Sequence, residues 1–209
     1  MIALPRMDTR IDQEAFNLPV AGLLPVPLAR ANSLLEKWGH YLGPVNRPFG
    51  SQSWTFEVAG QAVAVAVSAS TVSEHVAYLD SLPIFALTKK GRLGEQVGQL
   101  TYRVRLSRGE LVELARLCSA PDCHWATRPM VRLWREVAAP LWPHWQLTAA
   151  IAYSQNSRHQ GDIYRWDGWV KVADNCGSSG GGAWSRKRYA TDAVHGRKTL
   201  WLWRYGGGQ

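Results

Sequence analysis

The chain has no long hydrophobic run. Its longest apolar stretch, near Ala62 to Ala66, is far too short to span a bilayer. The N-terminal segment also lacks the basic-then-apolar layout of a secretory signal peptide. Both absences lead to the expectation of a soluble, cytoplasmic protein with no membrane partner. Cysteine is scarce as well. Cys118, Cys123 and Cys176 make an odd count of 3 with no framework spacing, which excludes a disulfide scaffold and suits a reducing compartment. Cys118, Cys123 and His124 lie close together but lack the second pair that a structural zinc site needs. There is no internal repeat, so repeat architectures are set aside. Acidic residues are few, 16 against 24 Lys and Arg, for a net charge of +8 and a pI near 9.7. That surplus favours a polyanionic partner, whether nucleic acid, acidic lipid or a phosphate-rich cofactor. Solubility alone is the other reading.

What is present is a globular composition of 209 residues, 46% apolar and 19% charged, enough for a single domain over 1–209. Eleven tryptophans (Trp 11) are many; an indole fills a core, and its flat face also stacks on bases and cofactors. Residues 1–28 carry Pro5, Pro19, Pro25 and Pro27 and read as an irregular arm. A helix is expected over 29–38, with Leu34, Leu35 and Trp38 on one face and Gly39 as its stop. A proline- and glycine-punctuated loop follows, to Gly50. Trp54, Phe56 and Val58, then Val63, Val65 and Val67, alternate about a turn at Gly60 and Gln61, the signature of a hairpin. Residues 70–96 give no clear pattern, and Leu100, Tyr102, Val104 and Leu106 form another alternating strand. The run ELVELARLCSAPD fits a helix or a strand. RPMVRLWREVAAPLW is helical, with Val131, Leu133, Trp134 and Val137 along one side. QLTAAIAYS, WVKVAD and TLWLWRY close the chain as strands, which makes an α/β or α+β layout around a mixed sheet.

Three stretches carry chemistry. In CHWATRPMVRLW, small residues Ala126 and Thr127 lead into a helix. Free N–H groups there would hold a pyrophosphate with help from Arg128; alternatively Thr127 is an ordinary cap. In AIAYSQNSRHQGDIYRWDGW, a strand is followed by a polar loop, a helix from about His159 to Trp166, and Gly168 as a left-handed cap before Trp169 restarts the sheet. Tyr164 would point toward the strand ends, where a phenol suits protonation of a leaving thiolate; a core aromatic is the plainer reading. The third stretch is a Gly/Ser-rich basic loop over 175–198. Trp184, Arg186, Lys187, Arg188, His195, Arg197 and Lys198 there suit phosphate contacts and base stacking on double-stranded DNA, or simply a solvated surface.

The order strand, phosphate-type turn, helix, strand, then Gly161-x-x-Tyr164-x-x-x-Gly168-Trp169, resembles the cofactor-binding half of the GNAT acyltransferases. The resemblance implies a mixed, mostly antiparallel twisted sheet flanked by helices, with a splayed central parallel strand pair that admits acetyl-CoA or a related acyl-CoA. ELVELARLCSA becomes the strand before the pyrophosphate turn. The turn, Cys123 to Arg128, contains no glycine, unlike the family's Gln/Arg-x-x-Gly-x-Gly/Ala. Three segments further resemble the phage Mom family of DNA-modification proteins, a divergent GNAT branch: HYLG at His40 to Gly43, AYSQNSRHQGDIYRWDGW, and HGRKTLWLWRY from His195. This implies addition of a small acyl-type, methylcarbamoyl-like group to the exocyclic amine of adenine in phage DNA, as protection against restriction. The setting would be host cytoplasm if the gene is phage-borne. His40, Tyr41, Asp162 and Tyr164 are then the catalytic set, with His40 or Asp162 as base. Cys118, Ser119, Ala120, Ala126, Thr127, Arg128 and Asn156 are the cofactor set, and a backbone N–H near Cys118 to Ala120 would polarise the acyl carbonyl. His40, Tyr41 and Asp162 are also candidate ligands for iron. Two alternatives remain: an N-acyltransferase for a small amine or an aminated DNA base, and a non-catalytic basic nucleic-acid-binding module.

Overall fold

The computed structural model describes residues 20–47, 50–72, 74–80, 103–176 and 197–205. In chain order they form β1 (Ala21–Val26), α1 (Leu28–Lys37), β2 (Ser51–Val58), β3 (Gln61–Ala69), β4 (His75–Asp80), β5 (Arg103–Ser107), β6 (Leu111–Ser119), α2 (Thr127–Leu133), β7 (Ala149–Gln155), α3 (Asp162–Trp166), β8 (Val170–Cys176) and β9 (Lys198–Arg204). Seven of the strands make one sheet in the order β1-β2-β3-β6-β7-β9-β8, while β4 and β5 pair separately. Every neighbouring pair in the large sheet is antiparallel except β6 and β7. Among the described residues no helix is long and apolar enough to cross a membrane.

Strand alternation sorts the side chains to two faces. On one face Ala64 and Ala66 of β3, Val112 and Leu114 of β6, Ala150 and Ala152 of β7 and Trp201 of β9 pack under Met130, Val131 and Trp134 and under Tyr164 of α3. On the other, Val65 and Val67 meet Ala31 and Leu35 of α1, while Leu111, Ala149, Ile151, Leu200 and Leu202 meet Leu106 of β5. The small residues at the strand centres let the helices lie close, and the tryptophans fill the remaining volume.

The hairpin of β2 and β3 turns at Ala59 and Gly60, one residue earlier than the sequence suggests. Both residues have positive φ (50° and 76°), the backbone a two-residue hairpin turn requires. The irregular arm expected over 1–28 is a strand from Ala21 to Val26; residues 1–19 lie outside the described residues. Pro25 is tolerated because, among the described residues, β1 is the sheet's edge and one side of its backbone has no partner strand. ELVELARLCS resolves as a strand, β6. The expected helix over 128–142 is a composite of α2, a π turn over Trp134–Ala138 and a 3-10 turn over Ala139–Leu141. The π turn advances each residue through a smaller angle than an α turn. It carries Val137 out to solvent, 45% exposed, and turns Arg135 inward.

Around α3 both glycines have work that no other residue does. Gly168 (φ 87°) follows the helix in a Schellman motif: its N–H bonds Arg165 O at 3.2 Å, and the Trp169 N–H bonds Tyr164 O at 3.0 Å. Gly161 (φ 77°) precedes the helix with its α-carbon against the Trp201 indole, where any β-carbon would collide. The helix therefore starts at Asp162, later than His159. Trp201 is held in place by its own Nε1–H, which donates to Ser154 Oγ at 2.9 Å.

Candidate active-site cleft

The parallel pairing of β6 and β7 covers only Leu111↔Ala149 to Leu114↔Ala152. Beyond it β6 stays with β3 as far as Ala64↔Ser119, and β7 stays with β9 as far as Gln155↔Lys198. The sheet thus opens in a V between Ala115–Ser119 and Tyr153–Gln155. The cause lies in β6. The β3–β6 register shifts between Val67 (opposite Arg116) and Ser68 (opposite Leu114), so Ala115 is the extra residue of a bulge. A bulge bends its strand, and this one sits where β6 leaves β7.

The V holds a cleft of about 530 Å³ lined by residues from both faces of the sheet. Trp38, His40, Tyr41 and Leu42 line it from the α1 side, and Thr127, Gly161, Ile163 and Tyr164 line it from the α2–α3 side. All four residues of the expected catalytic set, His40, Tyr41, Asp162 and Tyr164, are on its walls.

The HYLG loop is moored by Arg116, which the sequence reading passed over. Its Nε–H donates to Gly43 O at 2.9 Å and its Nη2–H to Leu42 O at 3.3 Å. His40 and Tyr41 stack at 5.0 Å between ring centroids, and the Arg158 guanidinium lies 4.6 Å over the Tyr41 ring. His40 Nδ1 accepts the Leu42 N–H at 3.3 Å, which leaves the proton of the neutral ring on Nε2. Burial, then the charge of Arg116, of His159 and of Arg158, pushes the His40 pKa down to about 4. His159 is lowered by burial and then by Arg158. Tyr164 is buried, and burial followed by the neighbouring Tyr41 pushes its phenol well above the ordinary range. Tyr41 is raised by burial against the opposing pull of Arg116 and Arg158. Asp162, 57% exposed at the side chain, pairs with Arg165 at 2.8 Å.

These shifts give a pH signature. An unfolded His40 takes up its proton near pH 6.5, whereas the folded one waits until about 4. Between those values the unfolded chain binds more protons, so stability falls as pH drops from about 6.5 toward 4. Urea titrations at pH 7 and pH 5 should show a larger loss for the wild type than for His40→Gln; in the variant His159, lowered by burial, still works in the same direction, and Glu113, raised by burial, works against it.

The cofactor set is only partly assembled. Cys118, Ser119 and Thr127 line the cleft; Ala120, Ala126, Arg128 and Asn156 do not. Ala126 is fully buried in the core. The turn expected to offer free N–H groups engages three of them itself: Cys123 N–H bonds Ala120 O, Ala126 N–H bonds Cys123 O, and Thr127 N–H bonds His124 O. Thr127 is the first helical residue and caps nothing with its side chain. Ala120 N–H bonds Val63 O at 2.9 Å and is lost to the carbonyl-polarising role. Strand alternation turns the Cys118 N–H toward β3 as well, so within Cys118–Ala120 the Ser119 N–H is the one directed at the V, with that of Leu117 below it. Asn156 sits instead on a neighbouring cavity of about 500 Å³ with Trp169 and Lys171, and its Oδ1 accepts from Thr199 at 2.9 Å.

An iron site at His40, Tyr41 and Asp162 does not fit. The Nδ1 of His40 is engaged, Asp162 is neutralised by Arg165, and Arg116 and Arg158 crowd the place with positive charge. No group of three His, Cys, Asp or Glu side chains is poised to hold a metal among the described residues. Of the expected DNA-binding set, Trp184, Arg186, Lys187, Arg188 and His195 lie outside the described residues. Arg197 is exposed beside β9, and Lys198 begins that strand. The residues that sequence reasoning missed are Arg116, Arg158 and His159. An arginine inside the apolar run of β6 was the available signal for the first; the other two meet the cleft only through the path of the β7–α3 loop.

No family model and no curated protein matches the chain. Solved structures do. A mutant spermidine N-acetyltransferase of Vibrio cholerae aligns over 88% of this chain and 93% of its own, at 6% identity and a TM-score of 0.51. A probable acetyltransferase of Staphylococcus epidermidis aligns over 88% and 99%, at 8% identity and a TM-score of 0.49. The Vibrio cholerae likeness, with the mixed seven-stranded sheet and its single diverging parallel pair, gives the chain the GNAT acetyltransferase fold.

Proposed function

We propose that this protein is an acyl-coenzyme A-dependent N-acyltransferase whose acceptor is the exocyclic amine of a nucleobase in DNA, adenine foremost. The observation that carries it is the cleft at the splayed strand pair, lined by residues of both faces of the sheet. Such a cleft lets a donor and an acceptor enter from different directions and meet at the bend of β6, as direct transfer between them requires. The open edge of β6 fits an extended acyl-thioester arm, with the Ser119 and Leu117 N–H groups turned toward it. When bound, the coenzyme would supply an activated acyl carbonyl. Transfer would break the acyl carbon–sulfur bond, form a carbon–nitrogen bond, and move one proton from the amine to His159 and from there through solvent to the released thiolate.

The chain's own residues divide the remaining tasks. The Ser119 N–H polarises the carbonyl. His40, with its proton on Nε2, donates a hydrogen bond and is not the base. His159, on the cleft wall and held neutral, takes the amine proton. Tyr164 faces the leaving sulfur.

Charge selects the acceptor. Asp162 is the one carboxylate among the described residues that line the cleft, and it is already paired with Arg165. Arg116 and Arg158 dominate the α1-side mouth. A polycation such as spermidine, the substrate named for the Vibrio cholerae protein, meets repulsion there. A neutral aromatic amine carried on a phosphate backbone meets attraction, and the chain's net charge of +8 acts in the same direction. The likeness of HYLG and the β7–α3 run to the Mom family supports adenine within that class, with a small acyl-type group transferred.

The experiment mixes the protein with acetyl-CoA and, separately, an adenine-containing oligonucleotide or spermidine. Thiol release and nucleoside masses are read. DNA-dependent thiol release with a mass gain on deoxyadenosine is expected. Turnover with spermidine alone would transfer the reading to a small-amine acyltransferase, and salt-sensitive DNA binding without turnover would leave a binding module.

A further inference from the structure

We infer that Arg158, lying over Tyr41, holds the place of a nucleobase: on binding, the acceptor base drawn out of DNA stacks on the Tyr41 ring, and Arg158 turns to the adjoining phosphate. The inference rests on the nucleobase reading and adds to it the platform and the clamp.

Among the described residues, three arginines near the cleft are engaged and Arg158 is not. Arg116 holds the carbonyls of Leu42 and Gly43, Arg165 pairs with Asp162, and Arg47 pairs with Glu113 at 2.9 Å. The exposed Arg158 side chain has no hydrogen-bond or ion-pair partner among the described residues; its contact is the face of Tyr41. A guanidinium is planar and stacks as a base does. Its backbone is tied down, whereas its side chain makes no polar contact among the described residues that would have to break for it to turn. Asn156 N–H bonds Arg197 O, and the Arg158 and His159 N–H groups both bond Gln155 O at 2.9 and 3.0 Å, so the side chain can swing without the loop moving. Stacking of a base on an aromatic ring is stronger than an exposed cation–π contact, so a base displaces the guanidinium. Arg197, exposed and joined to Asn156 through that backbone bond, adds a second cation on the same rim for the strand to follow.

The test uses single-stranded DNA carrying 2-aminopurine, whose fluorescence falls when it stacks. Quenching is expected with the wild type and with Tyr41→Phe. Tyr41→Ala should lose it and bind about 5- to 150-fold more weakly. Arg158→Ala should keep it, while its log–log salt slope becomes shallower by roughly 0.7, the share of one phosphate contact on a single strand. Circular dichroism checks that each variant is folded. Absent quenching by the wild type, undiminished quenching by folded Tyr41→Ala, or an unchanged salt slope in Arg158→Ala would overturn the inference. Binding separates it from the function beneath it. Tyr41-dependent quenching without acyl transfer sinks only the transferase reading, and acyl transfer to DNA with Tyr41-independent quenching sinks only this one.

Discussion

Asp167→Ala should destabilise the protein by about 3–5 kcal/mol, the cost of stranding a buried charge. At roughly 2–4 °C per kcal/mol for a chain of this size, Tm should fall by about 6–20 °C. Asp167 follows α3, and its carboxylate is buried. It accepts Arg135 Nε at 2.7 Å and Nη2 at 3.2 Å, Arg132 Nε at 3.3 Å and Trp169 Nε1 at 3.1 Å. Arg135, turned inward by the π turn, lies 3.9 Å from the Trp203 ring, and its remaining acid partner is the half-exposed Glu136 at 3.2 Å. Without Asp167 the guanidinium keeps its burial and loses its bidentate partner, while Trp169 loses an acceptor. The comparison that isolates the effect is Asp162→Ala. That carboxylate is 57% exposed in a pair with Arg165 three residues on, so its loss should cost less than about 1 kcal/mol. In a double-mutant cycle with Arg135→Leu, Asp167→Ala should cost far less than it does alone. A loss under about 1 kcal/mol for Asp167→Ala would show that water reaches Arg135 and the pair is not buried in solution.

The elements that alternation can announce were legible. Trp54, Phe56 and Val58 and the three valines that follow are the hairpin, and Gly168 is the left-handed stop it promised. The divergence of β6 from β7 agrees with what the GNAT resemblance implied, but its local cause does not show in the letters: an alanine in a bulge reads like any other alanine. Three kinds of error have physical sources. Prolines suggested an arm where an edge strand tolerates them, as at Pro25. Small residues suggested free amides at Ala126 and Thr127, where a 3-10 turn satisfies them internally. The mouth of the cleft was half visible: His40 and Tyr41 belong to one short motif, whereas Arg116 and Arg158 reach them from β6 and from the β7–α3 loop. Convergence of distant segments is a property of the fold, and no local pattern carries it.

Tyr164→Phe should lower acyl transfer by about 10²- to 10³-fold and leave oligonucleotide affinity within about twofold. The substitution is clean because the ring, not the hydroxyl, builds the core. Tyr164 packs edge-on to Trp169 at 5.4 Å and tilted against Trp201 at 6.0 Å between centroids, contacts that phenylalanine preserves. Its hydroxyl has no hydrogen-bond partner among the described residues, and the side chain lines the cleft. The phenol is therefore free to serve a reacting group. Burial pushes its pKa up, so it stays protonated through neutral pH and beyond. On the proposed function such a phenol would hold a departing thiolate by donating a hydrogen bond; giving the proton away outright would be uphill to a sulfur of lower basicity. Two consequences separate this role from a structural one. Tyr164→Phe should reduce kcat with little change in the KM of either substrate, because the charge on sulfur develops only as the bond breaks. The alkaline limb of the wild-type pH–rate profile should not move in the variant, since the phenol does not titrate there. Undiminished turnover in Tyr164→Phe would leave the hydroxyl without a part in the reaction, and parallel losses of turnover and affinity would make the residue a wall of the binding site.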